Sequence, residues 1–365
     1  MRIAIYHPRA RVGDGGITNS VRRLSEAFAR AGARPVIAFD GRGPVDEAHG
    51  VEWRPVPHLG RGRGRVPTRL RDAVADADLV ILNSAWSTAN AVAGAVVRRC
   101  GIPYILAPRG AYDPLIVRRN RLAKRCWWYL AERRLLHGAS AVHVFFRSQR
   151  DDLDALGYRG RILVAPNGVE VPPTLRWDGG SGGYVAYLGR FDPEHKGIDL
   201  LLEAVARLSP QERPEVRLHG PDWRGGKAEV AARVDELDLG LSVSVREPVY
   251  GEAKWELLAH AVGLAYPSRW EGFGNSLAEA AALGVPTLAT PYPLARFLER
   301  RGACLVVEAE PAALAQGLRQ LCDPAARQVG AAAAEVVSAE LTWDAVARQW
   351  LVQAAPLITA YSELR

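Results

Sequence analysis

Residues 270–290 read WEGFGNSLAEAAALGVPTLAT. Two carboxylates, Glu271 and Glu279, stand eight positions apart in this stretch. On one continuous helix, at roughly 100° per residue, they would project from well-separated directions around the axis. Gly272 and Gly274 break that register. The spacing therefore predicts a turn that carries Glu271 back over a helix beginning near Asn275, with Glu279 about one turn inside it. An apolar strand, Val285 to Ala289, follows at once. The start of such a helix offers unpaired backbone N–H groups and a positive dipole end, suited to an anion. An anion cradle with two hydroxyl-reading acids suits a sugar diphosphate.

Outward from this stretch, the chain alternates strand-like and helix-like segments. In the first half, strands are expected at Arg2–His7, Pro35–Phe39, Leu79–Leu82, Tyr104–Ala107, Ala141–Phe145 and Ile162–Val164. Ile17, Val21, Leu24 and Phe28 recur at helical spacing over Ile17–Ala31, and Gly32 supplies a stop. Further helices are expected over Arg121–Leu136 and Gln149–Leu156, and Asn83–Asn90 and Pro108–Pro114 are read as polar loops. Pro172-Pro173 and Gly179-Gly180-Ser181-Gly182-Gly183 read as a flexible linker. The alternation then restarts with strands at Tyr184–Leu188, Glu215–His219, Ser242–Arg246, Gly263–Ala265 and Cys304–Val307. Helices fall at Ile198–Leu208, Lys227–Leu237, Glu252–Ala261 and Pro311–Leu321, and the tail from Ala325 is expected to be helical throughout. Repeated βα units imply an α/β chain of two parallel-sheet, Rossmann-like domains facing across a cleft, with ligands at the carboxyl ends of the strands. The expected division is residues 1–170, a linker at 171–183, a second domain at 184–342, and a terminal helix at 343–365 that packs back on the first domain.

A chain of 365 residues, 48% apolar and 24% charged, can bury two ordinary cores. Its apolar runs are strand-sized, so no membrane-spanning helix is expected, and MRIAIYHP reads as a short strand rather than a secretory signal. Cys100, Cys126, Cys304 and Cys322 are scattered without a C-x-x-C pair, which fits reduced thiols in a cytoplasmic protein. The net charge of +7 is gathered in two runs. One holds Arg61, Arg63, Arg65, Arg69 and Arg71. The other holds Arg118, Arg119, Arg121, Lys124, Arg125, Arg133 and Arg134 around Trp127-Trp128-Tyr129. A solvated helix face, a peripheral contact with an anionic membrane and capture of an anionic acceptor are all open readings of these runs. No nucleic-acid reading module accompanies the charge, so nucleic acid is not the expected partner.

The second domain opens with strand Tyr184–Leu188, then Gly189-Arg190 and Lys196-Gly197. Cations after the first strand of such a domain reach the same strand edge as the Glu271 loop. A leaving nucleoside diphosphate gains negative charge as its bond breaks, and two cations can stabilise it without a metal.

Gly189-Arg190 with Lys196-Gly197, followed by Glu271-Gly-Phe-Gly-Asn-Ser-Leu-Ala-Glu279, resembles glycosyltransferase family 4, whose fold is GT-B. Pro166-Asn167-Gly168-Val169 and the Gly15-Gly16 loop fit the same family, so the resemblance spans essentially the whole chain. It implies a retaining, metal-independent hexosyl transfer from a nucleotide diphosphate sugar (UDP-sugar favoured, GDP-sugar the other choice). The acceptor would be a hydroxyl of a glycan, a lipid-linked precursor or a small metabolite. No cofactor beyond the donor is implied. For the residues, it implies that Arg190 and Lys196 hold the diphosphate, Glu279 bonds the ribose hydroxyls and Glu271 reads a donor-sugar hydroxyl. The stretch Gly272, Phe273, Gly274, Asn275, Ser276 and Leu277 would offer backbone N–H groups, chiefly from Phe273 onward, to the phosphates and sugar. Gly15 and Gly16 would let backbone close over the diphosphate. Many members carry a histidine in the loop after the strand equivalent to Tyr104–Ala107. This chain has Ala107-Pro-Arg-Gly-Ala-Tyr-Asp-Pro114 instead, which makes Arg109 and Asp113 the candidates for action on the leaving phosphate or the acceptor hydroxyl. Thr342-Trp343-Asp344 with Val346, Trp350 and Leu351 resembles the family's returning final helix.

Two other classes fit parts of the pattern. A GT-B relative that cleaves or epimerises nucleotide sugars would use the same residues. An NAD(P)-dependent oxidoreductase would explain a strand–glycine loop–helix start with Asp40 after the second strand, but Gly13-Asp-Gly15-Gly-Ile-Thr18 does not complete G-x-G-x-x-G. Localisation is expected in the cytoplasm, with a lipid-linked acceptor drawing the protein to the inner face of the membrane.

Overall fold

The computed structural model describes residues 1–8, 16–41, 45, 48–60, 62–170 and 172–363. Gly15, Arg61 and most of the expected loop Pro8–Gly16 lie outside them. The chain divides into two compact units, one of Met1–Gly168 with Trp343–Arg365 and the other of Val169–Thr342.

In the first unit, strands β1 (Arg2–Tyr6), β2 (Arg34–Phe39), β3 (Glu52–Pro55), β4 (Leu79–Asn83), β5 (Tyr104–Ala107), β6 (Ala141–Val144) and β7 (Ile162–Val164) form one sheet. Their order is β3-β2-β1-β4-β5-β6-β7, and every pairing is parallel. The order reverses between β1 and β4, which opens a crevice at their carboxyl ends. Continuous apolar runs such as Leu-Val-Ile-Leu in β4 arise because both faces of the sheet are covered. Ile3 and Ile5 pack on one side with Val21, Leu24 and Phe28 of the helix Gly16–Arg30. Ala4 and Tyr6 pack on the other, with Leu82, Leu106 and Leu135. Gly32, at φ +86°, ends the Gly16–Arg30 helix, with Ala33 N–H reaching back to the Phe28 carbonyl at 2.9 Å. Ile17, expected on the apolar stripe, is 42% exposed instead.

The terminal helix Trp343–Glu363 belongs to this first unit. Trp350 is 1% exposed, stacks on His143 at 4.6 Å and meets Phe28 edge-on at 6.1 Å. His143 Nε2 donates to the Ala165 carbonyl at 2.8 Å, so that strand histidine is a packing residue. The tail is not helical throughout: the helix Ala326–Glu340 stops, and Leu341 and Thr342 separate it from the last helix. Val169 pairs with Thr342 there, and its N–H bonds the Leu341 carbonyl at 2.7 Å.

Two further expectations differ. The helix Thr88–Cys100 occupies sequence for which no helix was expected, beginning inside the segment read as the loop Asn83–Asn90. The expected helix Arg121–Leu136 is helical at Arg121–Trp127 and Arg133–His137 but passes through a wider π turn over Trp128–Glu132.

In the second unit, β8 (Tyr184–Leu188), β9 (Glu215–His219), β10 (Val243–Arg246), β11 (Gly263–Tyr266), β12 (Thr287–Ala289) and β13 (Leu305–Val306) form a parallel sheet in the order β10-β9-β8-β11-β12-β13. Its order reverses between β8 and β11. The segment read as a linker is fastened to this unit: Trp177 Nε1 donates to the Ala261 carbonyl at 2.7 Å, and Gly182 N–H to that of His260 at 2.9 Å.

Candidate active site

In the second unit the site grows from the loops that leave β8 and β11 at the point where strand order reverses. The turn after β8 carries Arg190, and the short helix Pro193–Lys196 ends at Gly197. Gly197 lies at φ +66°, and a Cβ there would stand 1.9 Å from the Pro267 carbonyl oxygen. Only glycine permits this close seating of one loop on the other. Arg269 fixes the same junction. Its N–H donates to the His195 carbonyl at 3.0 Å, and its guanidinium grips both oxygens of Asp199 at 2.7 Å.

This seating brings Lys196 against Glu271. Lys196 Nζ donates to Glu271 Oε1 and, at 2.9 Å, to the Tyr266 hydroxyl. Ser268 Oγ donates to the same carboxylate oxygen at 2.8 Å. The two charged side chains are only 10% and 11% exposed. Burial alone raises the Glu271 carboxyl; the Lys196 ammonium and the Ser268 hydroxyl outweigh it, so the group sits below its ordinary range and stays ionised.

His195 stacks flat on Trp270, with ring centroids 3.5 Å apart. One ring nitrogen, Nε2, lies 3.0 Å from the Trp270 carbonyl; the other, Nδ1, lies 2.8 Å from Arg190 Nη2. Nδ1 also lies 3.3 Å from Asp192 Oδ2, but its shorter contact is to a guanidinium, which only donates, and the carbonyl only accepts; the arrangement fits an imidazole protonated at Nε2. Burial and then the nearby Lys196 charge push its pKa down to about 4. Arg190 is thereby aimed by a histidine, by Asp192 at 3.2 Å and by the Trp223 ring at 4.6 Å. Its side chain remains 36% exposed.

The helix Asn275–Leu283 begins after Gly274, at φ +101°, a residue with no side chain to cap it. Phe273 is 5% exposed and anchors the turn. The first turn follows the loop from β11 that carries Glu271, at the sheet edge that also carries Lys196. Glu279 lies further along and accepts from Lys254 Nζ at 2.7 Å, the pair being about one-fifth exposed. His219 Nδ1 bonds the Glu247 carbonyl at 2.9 Å, joining the loops after β9 and β10.

In the first unit, Arg109 takes a left-handed conformation, φ 56°, after β5. Its Nε donates to Asn83 Oδ1 at 3.0 Å and its Nη1 to Asn167 Oδ1 at 3.2 Å. Asn167 in turn donates to Ser20 Oγ at 3.2 Å, and Ser20 to the Gly16 carbonyl at 2.8 Å. Phe145 lies under the guanidinium at 5.6 Å. Among the described residues no carboxylate pairs with Arg109, and burial pulls its pKa down to about 10. A cation held by amides and a ring is open to an anionic ligand. Asp113 caps the helix Pro114–Arg118 by accepting from Leu115 N–H at 2.8 Å. Nearby, Asp152 is pushed up to about 7 by burial and by the charges of Asp113 and Asp151.

The structure thus gathers Arg190, Lys196, Glu271, Gly272, Phe273, Gly274, Asn275, Ser276 and Leu277 at one sheet edge, with Glu279 one turn deeper. Arg109, Gly16 and Asn167 gather at the corresponding edge of the first unit, and Gly15 lies outside the described residues. Sequence reasoning missed His195, Ser268 and Lys254, which orient Arg190, Glu271 and Glu279, and it missed Ser20. The one available signal was His195, which directly precedes the Lys196-Gly197 pair.

Two domain models match the chain: one for a glycosyl transferase 4-like domain, over residues 15–168, and one for glycosyl transferases group 1, over residues 182–323. No curated protein matches it in sequence. Among solved structures, a sucrose-phosphate synthase from Thermosynechococcus elongatus is similar over 99% of this chain and 100% of its own, with 22% identity and a TM-score of 0.79. HepE from Anabaena, solved with UDP and glucose, is 17% identical with a TM-score of 0.76, covering 98% of this chain and 100% of its own. WaaG, a glycosyltransferase involved in lipopolysaccharide biosynthesis, is 18% identical with a TM-score of 0.70, covering 98% and 99%. At these identities the likeness shows the fold, which is GT-B.

Proposed function

Because the chain belongs to the glycosyl transferases, its two units matched in turn by the two domain models, we propose that it moves a hexosyl group from a nucleotide diphosphate sugar to an acceptor hydroxyl, with retention and without a metal. The observation that carries this reading is the cluster at the β8/β11 edge, where the loop with Arg190 and Lys196 meets the loop that carries Glu271 into the helix Asn275–Leu283. A diphosphate in contact with both cations and the helix N-terminus would have its developing charge stabilised as the glycosidic bond breaks. That electrostatic arrangement supports metal independence.

Glu271 Oε1 accepts from Lys196 and Ser268, and the carboxylate so fixed would read a hydroxyl of the donor sugar. Glu279, steadied by Lys254, would read the ribose. In the transfer, the acceptor oxygen bonds the anomeric carbon as the carbon–phosphate oxygen bond breaks, and the acceptor proton passes to the departing phosphate oxygen on the same face. Arg109, a part-buried cation without a carboxylate partner among the described residues, would bind the phosphate or place the acceptor, and Asp113 would act on the acceptor hydroxyl. We favour UDP over GDP as the base, since HepE, of the same fold, is solved with UDP. The acceptor would be a glycan, a lipid-linked precursor or a small metabolite. Four free cysteines support a cytoplasmic setting.

A thermal-shift panel of UDP, GDP, dTDP and ADP sugars tests the donor class; a shift with none of them removes the reading. Product analysis by NMR, with and without candidate acceptors and with a chelator present, then tests transfer, retention at the anomeric carbon and metal independence.

A further inference from the structure

We propose that residues 114–134 of the first unit form a face that docks on an anionic lipid bilayer. Large apolar side chains are rarely left in water as a group. Here Leu122 is 81% exposed, Tyr129 69% and Leu130 77%. The stretch Pro114–Ala131 contains no Asp or Glu. Arg118, Arg121, Arg125, Arg133 and Arg134 are all exposed, and none has an ion-pair partner among the described residues. Elsewhere exposed arginines are commonly paired, as Arg301 with Glu340 and Arg319 with Glu212. Apolar side chains ringed by free arginines match an interface of acyl chains beneath phosphate headgroups.

The inner side of the same segment explains why these side chains cannot turn inward. Glu132 is fully buried. It accepts from Trp127 Nε1 at 3.0 Å, from Trp86 N–H at 3.1 Å and from the Tyr112 hydroxyl at 2.7 Å. Trp128 packs against Trp86, and Lys124 lies over the Trp86 ring at 5.4 Å. The two tryptophans that the sequence offers to a membrane therefore face the protein. The π turn over Trp128–Glu132 brings Glu132 inside and leaves Tyr129 and Leu130 outside. Trp86 and Tyr112 follow β4 and β5, so the exposed face is tied to the loops that carry Arg109.

A second copy of the chain fits this face poorly, because a two-fold contact would set arginines against arginines. A polyanion without acyl chains would leave Leu122 and Leu130 in water. The proposal stands on this surface and not on the glycosyl-transfer reading.

The test is co-sedimentation of the full-length protein with phosphatidylcholine vesicles, with or without phosphatidylglycerol, at low and high salt. Binding is expected only when phosphatidylglycerol is present, and it should weaken with salt. The triple variant Leu122→Ser, Tyr129→Ser, Leu130→Ser should lose binding by about tenfold or more, and Arg121→Gln with Arg125→Gln should reduce the phosphatidylglycerol dependence. All substituted positions are exposed, and an unchanged far-UV circular dichroism spectrum and thermal melt would show that each variant is folded. Absence of binding, equal binding to neutral vesicles, or equal binding by the triple variant would overturn the proposal. So would a dimer in sedimentation velocity that the triple variant abolishes.

Discussion

Lys196 and Glu271, 75 positions apart, form a nearly buried ion pair at the carboxyl edge of the second sheet, with Ser268 and Tyr266 completing it. A buried pair is worth little against apolar residues of its size, but removing one partner strands the other charge.

Lys196→Met should therefore destabilise the protein by about 3 kcal/mol. The double variant Lys196→Met, Glu271→Gln should recover much of that loss while both remain inactive. Urea melts of the four proteins give the coupling energy; simple additivity would show that the pair does not hold the loops together.

His195 gives a pH dependence of known sign. Its folded pKa, about 4, lies below its unfolded value near 6.5. Between those values the unfolded chain binds the extra proton, so stability rises with pH across that window and is lost on acidification. The full effect is up to about 3 kcal/mol. Comparing the stability of wild type and His195→Gln between these limits should show a flatter slope in the variant; parallel curves would contradict the neutral, buried imidazole.

Arg109 separates function from stability. Its part-buried guanidinium has no carboxylate partner among the described residues. Arg109→Met should change the unfolding free energy by no more than about 1 kcal/mol, since relief of a buried charge offsets two lost amide bonds. Turnover should fall by about a hundredfold if the charge meets substrate. A large loss of stability with turnover per folded molecule intact would make it a structural residue.

Gly197→Ala forces a side chain toward the Pro267 carbonyl, 1.9 Å from the ideal Cβ, at φ +66°. It should cost about 2 kcal/mol or more and weaken nucleotide binding, because His195 and Lys196 precede the turn. Calorimetric UDP titration and a melt of the same variant check both effects.

The doubly wound plan was legible because buried parallel strands write themselves as apolar runs, as in β4 and β8. The helix Thr88–Cys100 was not. Its alanines favour a helix, but Asn90, Gly94 and the β-branched Val92, Val96 and Val97 offset them, and Gly94 is there for packing, since a Cβ would stand 2.5 Å from Leu135. The π turn had no local signal either, because it serves Glu132, whose partners Trp86 and Tyr112 come from other loops. The motif residues of the second unit could be named from the family resemblance. Their supports could not: His195 stands next to the Lys196-Gly197 pair, but its part is seen only through its contact with Trp270, 75 positions away. Likewise Arg109 was named as a candidate for the phosphate or the acceptor, but its amide partners Asn83 and Asn167 are joined to it only by the topology.

The central claim is that Arg190, aimed by His195, and Lys196 receive the diphosphate of a nucleotide sugar. The most direct test is calorimetric titration of UDP into wild type and Arg190→Ala. The account predicts binding by the wild type and a weakening of about tenfold to a hundredfold in the variant, the loss of one charge-assisted contact. Failure of the wild type to bind any nucleoside diphosphate, or equal affinity in the two proteins, would contradict it.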